Sequence, residues 1–323
     1  MIIPNDIDFS KYIDFVGQQE SQEIHGAGYW TEDMIARLRN GDSLMGDYMP
    51  WEKLNEKVRL RSGELTLWAG YSGHKKSLMV GYIMLCLAQS QRVAIASLEL
   101  SPVDTLHRMM YQAAGLSEGS KVAEPFARKF MEWADPNIAI YDQLDSVPAE
   151  RILGFVNYCA KELGCKHIVI DSLTKCGIRK DDTDAEKAFV DKLQWTAKTL
   201  GCHIHLVCHM RKPQDGQEQR MPTKAAIRGA SEISDLADNV FLVWQNMSKK
   251  KAMDKQSAGQ NLTDAEFKEL EKPDQVLVID KQRHGKWEGV CGLWCHPSQQ
   301  FLPGPDQRPV HFTMERQACS RVA

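Results

Sequence analysis

Gly70-Tyr71-Ser72-Gly73-His74-Lys75-Lys76-Ser77 is the stretch that decides how this chain is read. An apolar run, Leu65-Thr66-Leu67-Trp68-Ala69, leads into it, and a second, from Leu78 to Leu87, follows. The pattern is strand, glycine-bearing turn and helix start. A Lys-Ser pair at the mouth of a helix holds a polyphosphate. Backbone N–H groups point into the loop, the helix N-terminus adds partial positive charge, and the lysine reaches the outer phosphates. Gly70, Ser72, Gly73, His74, Lys75, Lys76, Ser77 and Leu78 are therefore the candidate nucleotide-binding residues, with the Ser77 hydroxyl as a candidate Mg²⁺ ligand. The loop departs from G-x-x-x-x-G-K-S at one position, where Lys75 stands in place of glycine. A side chain there brings a Cβ toward the phosphates, in a turn whose backbone glycine tolerates best. Lys75→Gly is accordingly expected to raise nucleotide turnover.

Working outward, apolar runs free of Gly and Pro occur at 65–69, 92–98, 137–141, 167–170, 203–208, 239–244, 275–280 and 289–294. Helical patterns fall between several of them, at 77–89, 102–115, 120–134, 148–163 and 184–200. Strands alternating with helices predict an α/β fold with a mostly parallel twisted sheet and helices on both faces. The last two runs, joined by a short glycine-containing loop, predict an antiparallel hairpin at one edge. Residues 247–272, rich in Lys, Asp and Glu, read as a solvated insertion. Residues 1–60 read as an arm with one short helix around Trp30 to Leu38, residues 61–305 as the main domain, and 306–323 as a tail.

The 323 residues carry a net charge of −3, so any nucleic-acid contact must come from local basic loops rather than a basic coat. No apolar stretch approaches the roughly 20 residues of a membrane helix, and the N-terminus lacks a leader pattern, so no membrane partner and a cytoplasmic location are expected. The nine cysteines form no C-x-x-C pair, and Cys86, Cys159, Cys202 and Cys208 read as buried free thiols. Cys291, Cys295 and His296 lack an evident fourth ligand for zinc.

In a parallel sheet the ligand lies at the carboxyl ends of strands, so the residues just past each run are the ones to examine. Glu99 follows 92–98, and a carboxylate there polarises a water for attack on a γ-phosphate. Taken alone, Glu99-Leu100-Ser101-Pro102 reads equally as the start of the next helix. Asp171 follows 167–170, where a carboxylate orients the water shell of Mg²⁺. His209 follows 203–208 and is placed to hydrogen-bond a γ-phosphate; a simple strand-terminal histidine is the plainer alternative. Beyond it runs a basic loop with Arg211, Lys212, Arg220 and Lys224, leading to Arg228 and Gly229. It suits a phosphate backbone or plain solvation about equally well. Asp280 to Lys286 caps the hairpin with Lys281, Arg283 and Lys286.

The order of these motifs resembles the RecA-like P-loop NTPase domain of DnaB-like replicative hexameric helicases, and phage helicase–primases and the Twinkle helicase in particular. The resemblance covers residues 63–300. It rests on Ser97-Leu98-Glu99-Leu100-Ser101, Ile168-Val169-Ile170-Asp171-Ser172, Cys208-His209-Met210-Arg211-Lys212-Pro213, Arg228-Gly229-Ala230-Ser231 and Lys281-Gln282-Arg283. It implies an ATP- or dTTP-hydrolysing motor with Mg²⁺, in which Glu99 is the catalytic carboxylate, Asp171 the Mg²⁺-side acid and His209 the γ-phosphate sensor. Lys281 and Arg283 would act on a neighbouring subunit's nucleotide, and His296 would lie near the base. Arg211, Lys212, Arg220, Lys224, Arg228 and Gly229 would track single-stranded DNA in a ring, expected to be hexameric, of identical chains. The helix around Met34 would dock on the next subunit. No primase segment is legible before residue 60, so a separate primase, polymerase or loader is expected, in a bacterial or phage-infected cell. Two other readings stay open: a RecA/RadA-like recombination ATPase, and a nucleotide-regulated DNA-binding subunit that does not hydrolyse.

Overall fold

The structure, a computed structural model, describes residues 2–3, 7–13, 26–40, 46–117, 120–179, 182–211, 220–227 and 230–314. Its axis is β4 (Leu65–Gly70), buried along its whole length as an interior parallel strand must be. Nine further strands extend the same sheet: β1 (Ile2–Ile3), β5 (Val93–Ser97), β6 (Ile138–Tyr141), β7 (His167–Asp171), β8 (His203–His209), β9 (Asn239–Gln245), β10 (Gln275–Gln282), β11 (Gly289–Cys295) and β12 (Phe301–Leu302). The order is β1-β6-β5-β7-β8-β4-β9-β10-β11-β12, parallel from β1 to β9 and antiparallel from β9 to β12. A separate antiparallel pair joins β2 (Asp47–Tyr48) to β3 (Arg59–Leu60).

Helices α3 (Lys76–Leu87), α4 (Pro102–Ala114) and α5 (Glu124–Asn137) cover one face with a core that includes Met84, Met109 and Phe130. Helices α6 (Ala149–Lys161), α7 (Thr183–Leu200) and α8 (Ala230–Leu236) cover the other, burying Phe155, Leu193 and Ile233. The remaining helices are α1 (Ser10–Ile13), α2 (Thr31–Asn40), α9 (Met247–Ser257) and α10 (Asp264–Leu270). The last two make the expected charged insertion.

Packing contacts cross the expected divisions at 60 and 305. Met49, Trp51, Leu54, Val58 and Leu60 lie in the same core as α3, and the Trp51 indole donates to the Phe301 carbonyl at 2.6 Å. Phe9 is buried on the other face against Gly154, where an added Cβ would collide with the Cβ of Phe9. Of the described residues in 1–60, only those around α2 keep the character of an arm. The tail turns back as well: Phe312 and Met314 are buried, and the Phe312 amide bonds the Ala113 carbonyl at 3.0 Å. Apolar residues that the sequence scatters singly through polar stretches are what draw these segments in. Residues 315–323 lie outside the described part.

A buried polar chain crosses the base of the sheet. The Trp68 indole can only donate, and it donates to His205 Nδ1 at 3.1 Å. His205 must then offer its Nε2 hydrogen to His167 Nδ1 at 3.1 Å, and His167 offers its own to Asp47 Oδ2 at 3.0 Å. His203 Nδ1 donates to the Arg61 carbonyl at 2.7 Å and its Nε2 accepts from Thr66 at 2.8 Å. Burial pushes the pKa of His203 down to about 3 and that of His205 well below the usual histidine value, so these two rings are neutral and the direction of the His205 bonds is fixed by the indole. It pins Asp47, in the expected arm, to the sheet.

Candidate functional site

The strand register gathers the site. Gly70 on β4 is level with His209 on β8, and Asp171 on β7 is level with both Ser97 on β5 and Val207 on β8. The carboxyl ends of four neighbouring strands thus present the phosphate loop, His209, Asp171 and, two residues past Ser97, Glu99 along one edge.

Gly70 has no room for a Cβ, which would run into the Val243 carbonyl and the Lys76 stem. Gly73 takes φ +79, a shape glycine permits freely. Ser72 is exposed. His74 is buried, with Nδ1 accepting the Gln245 amide at 3.1 Å. Burial, with Lys76 and then Lys250 adding repulsion, holds its pKa down to about 4, so the ring is neutral and acts as a strut between the loop and β9. Lys76 Nζ donates to the Gly70 and Tyr71 carbonyls, each at 2.9 Å. Burial lowers its pKa, against the pull of Asp171 and Glu99. Ser77 hydrogen-bonds the Asp171 carboxyl, whose pKa burial raises. A hydroxyl and a carboxylate side by side are the hard oxygen pair that Mg²⁺ prefers, the rest of its shell coming from phosphate and water. The Leu78 carbonyl accepts from Gln112 at 3.4 Å, tying the start of α3 to α4.

Lys75 opens α3 in the left-handed region, φ 61 and ψ 28. The loop therefore keeps the shape that glycine would give it, at a cost of about 1 kcal/mol for a side chain in that region. The side chain turns away along the sheet, and Nζ donates to Cys295 Sγ at 3.3 Å. Lys75→Gly removes the strain and the tether together. The expected result in a steady-state phosphate-release assay is higher turnover; equal or lower turnover would show the tether to be worth more than the strain.

Glu99 is the centre of the hydrogen bonding. Its Oε1 accepts from Ser172 Oγ at 2.9 Å and faces His209 Nε2 at 3.4 Å. The His209 bond, and then that of Ser172, hold its pKa down to about 2 against the opposing effect of partial burial. Ser172 also meets Thr174 Oγ1 at 2.7 Å. Reading strand ends did not single Ser172 out as a ligand of Glu99; its place next to Asp171 was the available signal.

A family model described as "DnaB-like helicase C terminal domain" matches residues 50–302. The chain belongs to this family. Among curated proteins, the DnaB-like chain is 28% identical over 233 residues to "DNA helicase/primase" of Enterobacteria phage T3, matching 67% of this chain but only 40% of that protein. Among solved structures, an isolated ATPase domain superposes with a TM-score of 0.65 at 14% identity, covering 87% of this chain and 99% of that one. A DnaB-like replicative helicase, solved in a study of its interactions with primase, gives 0.64 at 14% identity, covering 87% of this chain and 67% of that one. At such identities the two superpositions speak for the RecA-like fold.

In this DnaB-like domain the remaining candidates fall in three places. Arg211, Arg220 and Lys224 are exposed on the loop past β8, whose base is closed by a Met210–Ile227 bridge and an Arg211 N–H bond to the Ala226 carbonyl at 2.9 Å. Lys212, Arg228 and Gly229 lie outside the described residues. His296 follows Cys295, on the side of the sheet where Lys75 ends. Its Nδ1 accepts the Ser298 amide at 3.1 Å, which leaves Nε2–H as its donor. Lys281 and Arg283 sit at the opposite end of the sheet from the phosphate loop, because β10 runs antiparallel to β9. There the Arg283 amide bonds the Asp238 carbonyl at 2.8 Å, and His284 Nδ1 lies 2.9 Å from Glu64 Oε1. Among the described residues no helix is long and apolar enough to cross a membrane.

Proposed function

We propose that this chain is the motor of a ring-forming DNA helicase that hydrolyses ATP or dTTP between subunits and moves along single-stranded DNA. The observation that carries the reading is the Glu99 carboxylate, held by Ser172 and His209 beside Lys76, Ser77 and Asp171. A triphosphate entering the loop gives Lys76 phosphate oxygens in place of the Gly70 and Tyr71 carbonyls. Mg²⁺, held by Ser77 and Asp171, would supply neutralisation of the phosphate charge. His209 shares its Nε2 between Glu99 and an incoming γ-phosphate, so the third phosphate frees Glu99 to orient the attacking water. A carboxylate with so low a pKa is a weak proton acceptor, and orienting the water is the role it suits.

Arg283 lies too far along the sheet to serve its own loop, so its nucleotide is a neighbour's. An arginine supplied in trans is worth about 10³–10⁵ in turnover. Two features of the chain suit such a ring. Helix α2 and the turn before it expose Trp30, Met34 and Leu38, spaced by four on one face. Between α4, α5 and β6 lies a groove of about 760 Å³ lined by Leu106, Met131, Trp133, Ile138, Ile140 and Met314 together with the charged Lys129, Glu132 and Asp135. We read that groove as the seat of α2 from the next copy.

The deciding experiment is phosphate release with and without single-stranded DNA, together with electron microscopy. Stimulated turnover and closed rings are expected, and doping Arg283→Ala protomers into wild-type rings should lower turnover more than in proportion to their share. Helical filaments would favour a recombination ATPase, and absence of phosphate release on DNA a regulatory subunit. The chain spans 40% of the length of the curated helicase/primase, and a primase, polymerase or loader acting with this motor belongs to the same proposal.

A further inference from the structure

Lys75 strains the phosphate loop where glycine would not. Backbone strain of this kind gathers at sites that clamp a ligand. The ammonium at the end of the side chain is lightly held. Among the described residues its one hydrogen-bond partner is the Cys295 thiol, at 3.3 Å. Burial raises the pKa of that thiol, against the pull of Lys75 and with Asp274 adding to the rise. The sulfur therefore stays neutral, and a neutral sulfur is a weak acceptor. An ammonium has three N–H groups, so two of them are unspent. Lys76, by contrast, is buried and donates to two loop carbonyls, each at 2.9 Å.

Lys75 is also within reach of the loop it belongs to. It stands immediately before α3, in the wall whose N–H groups face a bound phosphate. Its four-carbon stem changes direction by rotamer steps about single bonds, with no backbone movement. Half-buried beside Cys295, it turns back over the mouth of the loop at the loss of one weak bond. Lys76 and the exposed Lys250 already act on His74 as positive charges. A third cation is disfavoured there unless phosphate comes with it.

We propose that Lys75 is a second phosphate-binding lysine, which alternates between the Cys295 thiol and the phosphates of a bound nucleotide, and whose hold on the diphosphate product slows turnover. The proposal rests on the nucleotide-binding part of the motor reading, and on neither DNA nor a ring. His209 and Glu99 serve the third phosphate and lose it on hydrolysis. Lys75, in the loop, keeps hold of the two that remain. Its contribution is therefore equal before and after the chemical step. Such uniform binding lowers KM without speeding that step, and it delays release of the product.

The test uses the full chain and Mg²⁺–ADP as the probe, with Lys75→Ala, Lys75→Arg and Cys295→Ala beside wild type. Alanine keeps a Cβ in the left-handed backbone and loses the ammonium, so charge is read apart from strain. Isothermal titration should show Lys75→Ala binding ADP about tenfold more weakly, the low end for a charge-assisted bond. Lys75→Arg should lie within about threefold of wild type. Cys295→Ala removes the alternative partner and should tighten ADP binding about twofold. Raising salt from about 0.05 M to about 0.5 M should narrow the gap between wild type and Lys75→Ala, which a loss of loop shape would not do. The off-rate of a fluorescent ADP should rise about tenfold in Lys75→Ala. If Lys75→Ala does not fold, Lys75→Gly carries the same titration, in a conformation glycine permits. The proposal is overturned if Lys75→Ala binds ADP as wild type does. It is overturned too if Cys295→Ala weakens ADP binding as far as Lys75→Ala, since the pair would then be a brace for the loop. A wild-type chain that binds ADP yet releases no phosphate would refute the motor reading alone, with Lys75 decided by the titration; one that binds no ADP would overturn both.

Discussion

Glu99→Gln should lower ATP turnover by about 10³-fold, the middle of the range for losing a positioned catalytic carboxylate, and leave nucleotide affinity within a few fold. Glutamine keeps the shape, and its amide can still meet Ser172 and His209, so the carboxyl edge holds together. What goes is the negative charge that orients and polarises the water. Single-turnover phosphate release separates this from a binding defect, and a variant with wild-type turnover would remove Glu99 from the mechanism. The same carboxylate makes a pH statement. Its pKa is depressed to about 2 by His209 and Ser172, so the charged form is present above that value and is lost only as pH falls through it. Wild-type turnover is therefore expected to show no loss with the usual carboxylate midpoint of about 4.3 that belongs to Glu99.

Much of this site was legible because parallel sheets impose a simple rule. Each apolar run ends where the ligand lies, so Lys76, Glu99, Asp171 and His209 could be listed from strand ends alone. Register then does what the list cannot, setting Asp171 level with Ser97 and Gly70 level with His209. The fold was legible for the same reason: strands buried on both faces read as unbroken apolar runs, and the amphipathic helices between them read by period.

What escaped reading is what depends on partners distant in the chain. His167, His203 and His205 look like accidents within apolar strands, and only the meeting of β7, β8, Trp68 and Asp47 joins His167 and His205 in a hydrogen-bonded chain. Trp51 and Phe312 sit in stretches too polar to be periodic, yet each finds the core that includes Phe301. Lys75 reads as a foreign charge in the phosphate loop until Cys295, at the end of β11, is seen to receive it. Lys281 is the sharpest case. Its motif predicts a cation acting on a neighbour, and nothing in that motif foretells the three carbonyls at the end of α8 that its Nζ meets within the single chain.

Replacing Met34 and Leu38 together by aspartate should dissolve the ring and take turnover down with it. Both side chains are more than half exposed in the single chain, at 55% and 78%. Nothing within the protomer is lost by the exchange, and the monomer should fold with its thermal midpoint unchanged. In the proposed assembly each side chain is buried in the groove over Leu106 and Ile140. Burial of two such residues is worth about 3–6 kcal/mol per interface, and carboxylates placed against the apolar part of the groove, which also carries Glu132 and Asp135, add a further desolvation cost. A closed ring repeats the loss at every interface, so mass photometry should show monomers where wild-type protein gives rings. Turnover should then fall to the level of Arg283→Ala, since no neighbour brings an arginine to the site. Nucleotide binding, which uses the protomer's own loop, should remain within a few fold of wild type. Rings that persist with both aspartates in place would mean that α2 does not hold the subunits together. Rings lost with turnover intact would mean that Glu99, Asp171 and His209 suffice without a neighbour.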